Sequence, residues 1–91
     1  MKYSQATQSK LEKILEESGY VVRYERGTFQ SGYCILEERK VVVLNKFLQI
    51  EGRINTLIDL IPRLVIDVTQ LTPETRKTYE DVTERYSANK E

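Results

Sequence analysis

The sequence predicts an α+β fold of two layers, in which helices pack on one face of a three-stranded antiparallel meander. Helical patterns occur near both ends of the chain, and short β-rich segments separated by turn-forming residues occupy the middle. We expect the order α-β-β-β-α-α, with one N-terminal helix and one or two C-terminal helices. The chain has 91 residues, of which 40% are hydrophobic, and this is enough for one small core. Residues 1–86 are therefore predicted to form a single domain, and residues 87–91 a disordered tail.

The first predicted element is a short amphipathic helix that begins between residues 5 and 9. Ser9 precedes Glu12 by the spacing of a capping box, and Ser4 is an alternative N-cap. Gly19 follows the helical pattern and can adopt the left-handed conformation that ends a helix. The apolar stripe consists of Leu11, Ile14 and Leu15. A helix with one apolar stripe needs a surface to cover, and the next segment is predicted to supply it.

Three short segments in the middle of the chain are predicted strands. Tyr20–Glu25 alternates between apolar and polar residues, which is typical of a strand with one solvent-facing side. A turn at Gly27–Gly32 precedes the second strand, Tyr33–Leu36. The charged residues Glu37–Lys40 are predicted to form the hairpin loop before the third segment, Val41–Leu44. Because that segment is apolar on both faces, it is either the central strand or covered by a partner.

The C-terminal half predicts two further helices. Asn45 ends the sheet, and Pro62 ends the second helix because proline is poorly tolerated inside a helix. The stripe of that helix consists of Ile54, Leu57, Ile58 and Ile61. Residues 64–70 are β-branched and apolar enough for an extended segment, but too few to assign. Thr72-Pro73-Glu74 is typical of a helix start, with threonine at the N-cap and proline at the first helical position.

Two residue counts narrow the chemistry that the chain can perform. It contains no histidine and a single cysteine, Cys34, which excludes Ser-His-Asp and Cys-His nucleophile systems, imidazole zinc sites and an intrachain disulfide. Cys34 lies between apolar residues in a predicted strand and is expected to be a small buried hydrophobe. We expect no catalytic residue, no metal site and no cofactor.

The Glu38-x-Lys40 pattern has the form used by one class of metal-dependent nucleases. Such a site needs a second acid on the preceding strand, and between Gly19 and Glu37 the only acid is Glu25. Its residues also fall where the predicted hairpin must turn. The pattern is therefore interpreted as a loop.

The charge and hydropathy of the chain argue against two classes of partner. Lys plus Arg and Asp plus Glu number 14 each, whereas a general nucleic-acid binder needs a basic surplus. No apolar run approaches the length of a membrane span, and the N-terminus lacks the apolar run of a signal peptide. The sequence predicts a cytoplasmic protein without a membrane partner.

Residues 11–58, with SGYCILEERKVVVLNK followed by EGRINTLIDLIP, resemble a small family of bacterial proteins of unknown function. That resemblance implies no activity. The chain is also distantly similar to IrrE/ImmA-type zinc metallopeptidases, because Gly32, Asn45 and Arg53 occur in a comparable order. Where that family has His-Glu-x-x-His, this chain has Leu60-Ile61-Pro62-Arg63-Leu64. The second resemblance therefore implies a peptidase-like shell without metal ligands.

The leading functional hypothesis is a non-catalytic interaction module that forms a homodimer or binds another protein. Its apolar residues exceed what so few elements can cover, and a C2 dimer through the sheet face or an edge strand would cover the rest. The predicted interface residues are Val41, Val43, Phe47 and Leu48.

Two alternatives from other functional classes stay open. The first is a small-ligand-binding or enzymatic site built from carboxylates and arginines. Its candidate residues are Arg23, Glu25, Arg39, Arg53 and Asp59. The second is weak nucleic-acid binding through Arg23, Arg26, Lys40 and Lys46.

Overall fold

The helical and β-rich patterns of the sequence form the elements expected from them, in the predicted order α-β-β-β-α-α. The computed structural model describes residues 2–26 and 33–89. The elements within this part of the chain are α1 (Gln5–Glu17), β1 (Val21–Glu25), β2 (Tyr33–Leu36), β3 (Val41–Asn45), α2 (Ile50–Leu60) and α3 (Pro73–Asn89). The α+β class is confirmed. The predicted turn Gly27–Gly32 and the side chain of Cys34 lie outside the described part.

The sheet is mixed rather than an antiparallel meander, so this part of the prediction is wrong. Its strand order is β1-β3-β2, with β2 antiparallel and β1 parallel to β3. The short connections make successive strands run in opposite directions, so the first and third strands share one direction. The third strand then takes the central place because both of its faces are apolar. Central placement was one of the two predicted alternatives for Val41–Leu44.

The first helix begins at the earlier of its two predicted caps. The Ser4 hydroxyl accepts a hydrogen bond from the Thr7 N–H at 3.3 Å, and Ser9 therefore lies inside α1, where the predicted capping box does not form. Gly19 ends the helix with φ +88°, a conformation that favours glycine. The chain then turns directly into β1, and the Tyr20 N–H donates to the Leu15 carbonyl at 2.9 Å.

The core lies between one face of the sheet and the helices. Val42 and Leu44 of β3 point into it, as do partly buried side chains of both edge strands. Its fully buried members are Leu11, Ile14, Leu15, Val42, Leu44, Ile54, Leu57, Leu60, Ile61 and Val82. α3 packs mainly on α1 and on the turn that follows α2, and Val82 joins it to the core. Within the described part of the chain, the helices that contribute to this core therefore pack on one side of the sheet.

The segment between α2 and α3 is not a strand. Pro62 lies in a 3₁₀ turn, Ile61–Arg63, that ends α2 as predicted. Residues 64–67 are irregular, and a second 3₁₀ turn, Val68–Gln70, follows, with the Asp67 carboxylate accepting the Thr69 N–H at 3.0 Å. At the other end α3 continues to Asn89. Of the predicted tail, residues 87–89 thus belong to α3 and residues 90–91 lie outside the described part.

Candidate interaction surface

The second face of the sheet carries a patch of aliphatic side chains, which we call the outer face: Val21, Leu36, Val41 and Val43. Val21 and Leu36 both pair with Val41 in the strand register, so three of these residues form one row across the sheet. Val21 is 53% exposed and Leu36 44% exposed. Val43 is buried without belonging to the core cluster. Half-exposed aliphatic residues in adjacent strands form a contiguous apolar patch, which isolated surface residues do not.

Two charged residues of β1 lie on this same face beside the aliphatic row. The Arg23 Nε and a Glu25 carboxylate oxygen are 3.1 Å apart, and both side chains are about half exposed to solvent. In the strand register Arg23 pairs with Val43 and Glu25 with Asn45. The charged end of the outer face therefore carries both signs and no net charge.

The four predicted interface residues separate into two places. Val41 and Val43 lie on the outer face. Phe47 and Leu48 lie in the connection between β3 and α2, where Phe47 is 63% exposed and Leu48 is half-buried. The Asn45 side chain orients this turn by accepting the Phe47 N–H at 2.9 Å. Sequence periodicity could not separate the two groups because the strand ends between them.

The exposed Phe47 ring lies close to two cations. The Lys46 ammonium is 5.5 Å and the Arg26 guanidinium 5.7 Å from the ring centroid. These distances are within the range of cation–π contacts. An aromatic face and two positive charges therefore meet at the end of the sheet where β1 and β3 finish.

The five predicted polar site residues do not converge on one place. Arg23 and Glu25 pair with each other, and Asp59 pairs with Arg63 on the surface of the α2 region at 3.6 Å. Arg39 lies in the hairpin loop, where it lines a shallow depression with nearby residues of β2 and the loop. This arrangement favours separate surface contacts over a shared ligand site.

Arg53 has a structural role that its sequence position did not reveal. Its guanidinium donates to the Leu48 carbonyl at 2.9 Å and to the Lys46 carbonyl at 3.0 Å. It also stacks 4.5 Å from the centroid of the Tyr24 ring. Arg53 thus holds the connection between β3 and α2 against β1, and two of its N–H donors are engaged with backbone carbonyls.

A polar cluster beneath β1 was not predicted. The Tyr24 hydroxyl donates to the Glu12 carboxylate, and the Gln8 side-chain amide bridges both, at 3.1 Å from each. Burial raises the pKa of Tyr24 above its ordinary value, and the hydrogen bond to Glu12 raises it further. The four-residue spacing of Gln8 and Glu12 on one helix face was a visible signal, but their partner on β1 was not.

A second unpredicted cluster joins α1 to α3. The Glu17 carboxylate accepts the Thr72 N–H at 2.8 Å and the Thr75 hydroxyl at 2.8 Å. The Thr72 N–H, and then the two threonine hydroxyls, lower the pKa of Glu17. Glu17, on another helix, therefore binds the backbone N–H of Thr72, the residue predicted as the N-cap of α3. The sequence separation of these partners hid the contact.

The Glu38-x-Lys40 pattern lies in the hairpin loop, as predicted from its position between the strands. Glu37–Arg39 form a 3₁₀ turn, and Lys40 completes the reversal with φ 52°. The Lys40 ammonium lies 5.8 Å from the Tyr20 ring centroid. In the described part of the chain, no three His, Cys, Asp or Glu residues are grouped so that they could bind a metal ion.

Two further findings concern membrane-spanning helices and similarity to known proteins. None of the helices in residues 2–26 and 33–89 combines the length and apolar character that a bilayer crossing requires. Comparison of the chain with protein-family models, curated proteins and solved structures gives no match. The two resemblances noted in the sequence therefore stay predictions, and any functional proposal depends on the surface described above.

Proposed function

We propose that this chain is a non-catalytic, cytoplasmic interaction module that self-associates through the outer face of its sheet. The observation that carries the proposal is the half-exposed aliphatic row of Val21, Leu36 and Val41, on the side of the sheet opposite the core. Within the described residues, the helices contribute to the core on the other side. Contiguous apolar surface of this kind marks contact sites on folded proteins.

A second copy of the chain is the partner that the charges favour. The formal net charge is zero, so two copies do not repel each other at long range. Arg23 and Glu25 place opposite charges side by side on the outer face. A two-fold arrangement can therefore oppose Arg23 of one copy to Glu25 of the other, and such self-complementarity is what a C2 interface requires.

The expected affinity is modest. Fully burying a Val or Leu side chain contributes roughly 1.5–3 kcal/mol, so four half-exposed side chains from two copies contribute roughly 3–6 kcal/mol. Association costs about 4–15 kcal/mol of translational and rotational freedom. The aliphatic row alone thus contributes at most about 2 kcal/mol net, whereas a dissociation constant of 1 mM requires about 4 kcal/mol. The paired charges and other contacts between the copies must supply the remainder, and dimerisation should be sought at concentrations of roughly 0.1–1 mM.

Sedimentation velocity over this concentration range tests the proposal. We expect the unmodified chain to change from monomer to a larger species, and Leu36→Lys to shift that change to higher concentration. Val65→Lys is the matched control, because Val65 is 88% exposed but lies in the irregular segment after α2. A chain that stays monomeric at the highest concentration would refute self-association. Equal effects of the two lysine variants would refute the assignment to the outer face.

A second candidate function is supported by the Phe47 ring and its two cations. Exposed aromatic rings beside basic residues stack single-stranded bases while the cations contact phosphates. The proposal predicts that a fluorescent single-stranded oligonucleotide binds weakly, with an affinity that falls as salt rises. Phe47→Ala should then weaken binding severalfold, whereas Tyr3→Ala, at another exposed aromatic residue, should not. Binding that Phe47→Ala leaves unchanged would exclude this candidate.

A further inference from the structure

The backbone of β1 has a defined pattern of bonded and outward-pointing groups. The Val21 N–H donates to the Lys40 carbonyl at 2.8 Å, and the Glu25 carbonyl accepts the Lys46 N–H at 3.0 Å. Successive residues of a strand direct their backbone groups to opposite sides. Val21, Arg23 and Glu25 therefore bond toward β3, while the N–H and C=O groups of Val22 and Tyr24 point to the other side.

That other side of β1 is an edge of the sheet. The strand order is β1-β3-β2, and β3 is the neighbour of β1 among the described strands. A row of outward N–H and C=O groups is a template for another strand. Proline, glycine and lysine, residues that commonly protect edges, do not occur in Val21–Glu25. Its charged residues are one arginine and one glutamate, which do not repel a second copy in the way that like charges would.

We infer that β1 pairs antiparallel with β1 of a second copy, about a two-fold axis that passes beside Tyr24. Tyr24 then lies opposite Tyr24 of the other copy, and Val22 lies opposite Arg26. The backbone groups of Val22 and Tyr24 point outward, and this register requires Arg26, one residue beyond the end of β1, to continue the same alternation. These residues then form the hydrogen-bonded pairs of the new ladder. The result is a continuous six-stranded sheet. This inference rests on the self-association proposed above, but it places the contact at the edge of β1 rather than on the aliphatic row of the outer face.

The same register brings the charges of the outer face together. With the axis beside Tyr24, Arg23 of each copy lies directly opposite Glu25 of the other, in non-hydrogen-bonded pairs where side chains are closest. An axis beside Arg23 would oppose two arginines, and an axis beside Glu25 would oppose two glutamates. Registers offset by one residue would place outer-face residues against core-face residues. The outward backbone groups allow all three of these axes, and charge selects the one beside Tyr24.

Charge reversal on separate chains tests this register. In Arg23→Glu, both opposed pairs become acidic, and in Glu25→Arg both become basic. Each variant alone should dimerise about tenfold or more weakly than the unmodified chain, because two attractive pairs become repulsive. An equimolar mixture of the two variants should restore association, since every opposed pair is then of opposite sign. Neither chain regains its internal Arg–Glu pair, so restoration reports the contact between copies. Unchanged thermal unfolding of both variants serves as the folding control.

Amide hydrogen exchange supplies a second readout that follows strand pairing alone. Raising the concentration of the unmodified chain should slow exchange at the Val22, Tyr24 and Arg26 amides. The Val21 and Arg23 amides, already directed toward β3, should change little.

The outcomes separate the two proposals. A chain that associates without protecting those three amides, or whose charge variants do not recover on mixing, would overturn the β1 pairing and leave self-association standing. Protection and recovery that Leu36→Lys does not weaken would support the β1 pairing and reject the aliphatic row as the contact. A chain that stays monomeric throughout would overturn both.

Discussion

Replacing Glu17 by glutamine is expected to loosen the contact between the end of α1 and the start of α3. The carboxylate accepts the Thr72 N–H and the Thr75 hydroxyl, each at 2.8 Å. Glutamine keeps one acceptor oxygen but loses the charge. A hydrogen bond to a charged group contributes about 1.5–3 kcal/mol, but this carboxylate lies near solvent, where its interactions are screened. We therefore expect Glu17→Gln to lower the free energy of unfolding by about 1 kcal/mol, or the melting temperature by about 4–8 °C.

The effect should depend on pH with a definite sign. The Thr72 N–H, assisted by the Thr75 hydroxyl, holds the pKa of Glu17 below its ordinary value near 4.5. A lowered pKa in the folded state means that folding favours the charged form. The stabilisation is therefore fully present above about pH 5 and is lost as the pH falls through the lowered folded pKa. The difference between the unmodified chain and Glu17→Gln should shrink correspondingly below pH 4.5.

Urea unfolding followed by circular dichroism at pH 7 and at pH 3 provides the assay. Glu16→Gln is the matched control, because Glu16 is the exposed neighbour on the same helix, and its effect should be under about 0.5 kcal/mol. Equal effects of the two variants at pH 7 would refute the reasoning. A Glu17→Gln difference that persists undiminished at pH 3 would refute the attribution to the carboxylate.

Three further substitutions test other contacts that hold the fold. Tyr24→Phe leaves Glu12 without its phenol partner and should cost about 1 kcal/mol in urea unfolding. Absorbance titration should then lose the raised-pKa ionisation that Tyr24 contributes, and an unchanged titration would contradict the assignment. Gly19→Ala forces a Cβ into φ +88° and should lower the free energy of unfolding by about 1–2 kcal/mol, whereas a neutral effect would mean that the turn relaxes at no cost. Arg53→Ala removes two hydrogen bonds to carbonyls and a stacking contact, and it should lower the free energy of unfolding by about 1–2 kcal/mol. The control Arg63→Ala removes only a surface ion pair and should lower it by under about 0.5 kcal/mol. Similar losses of stability in the two variants would reject the structural role of Arg53.

Much of the fold could be read from the chain because local physics determines it. Leu11, Ile14 and Leu15 recur at helical spacing, Gly19 can adopt positive φ, and Pro62 cannot continue a helix. Each of these features depends on residues a few positions apart, so each is visible without tertiary contacts. The same holds for Val41–Leu44, whose two apolar faces indicated a strand that is either central or covered by a partner.

Only part of the outer face could be predicted from the sequence. Val41 and Val43 were predicted as interface residues from their apolar surplus. Their neighbours in the row, Val21 and Leu36, could be identified only once β1 and β2 were placed on either side of β3. Phe47 was predicted as an interface residue, but the nearness of Arg26 and Lys46 to its ring depends on the meeting of the ends of β1 and β3.

By itself the sequence determined the order and approximate positions of the helices and strands, which face of most of them is apolar, and which chemistry is excluded by the lack of histidine. Tertiary structure alone decided that β1 runs parallel to β3, that Glu17 binds the start of α3, and that Arg53 serves the backbone. The physical reason is the sequence distance over which each interaction acts. Helix and strand patterns arise from residues that are neighbours along the chain. Strand partners and charge partners are distant in sequence, and they depend on the arrangement of elements that buries the most apolar surface. Among the described strands, that arrangement placed β1 at an edge of the sheet, beside the aliphatic residues of the outer face.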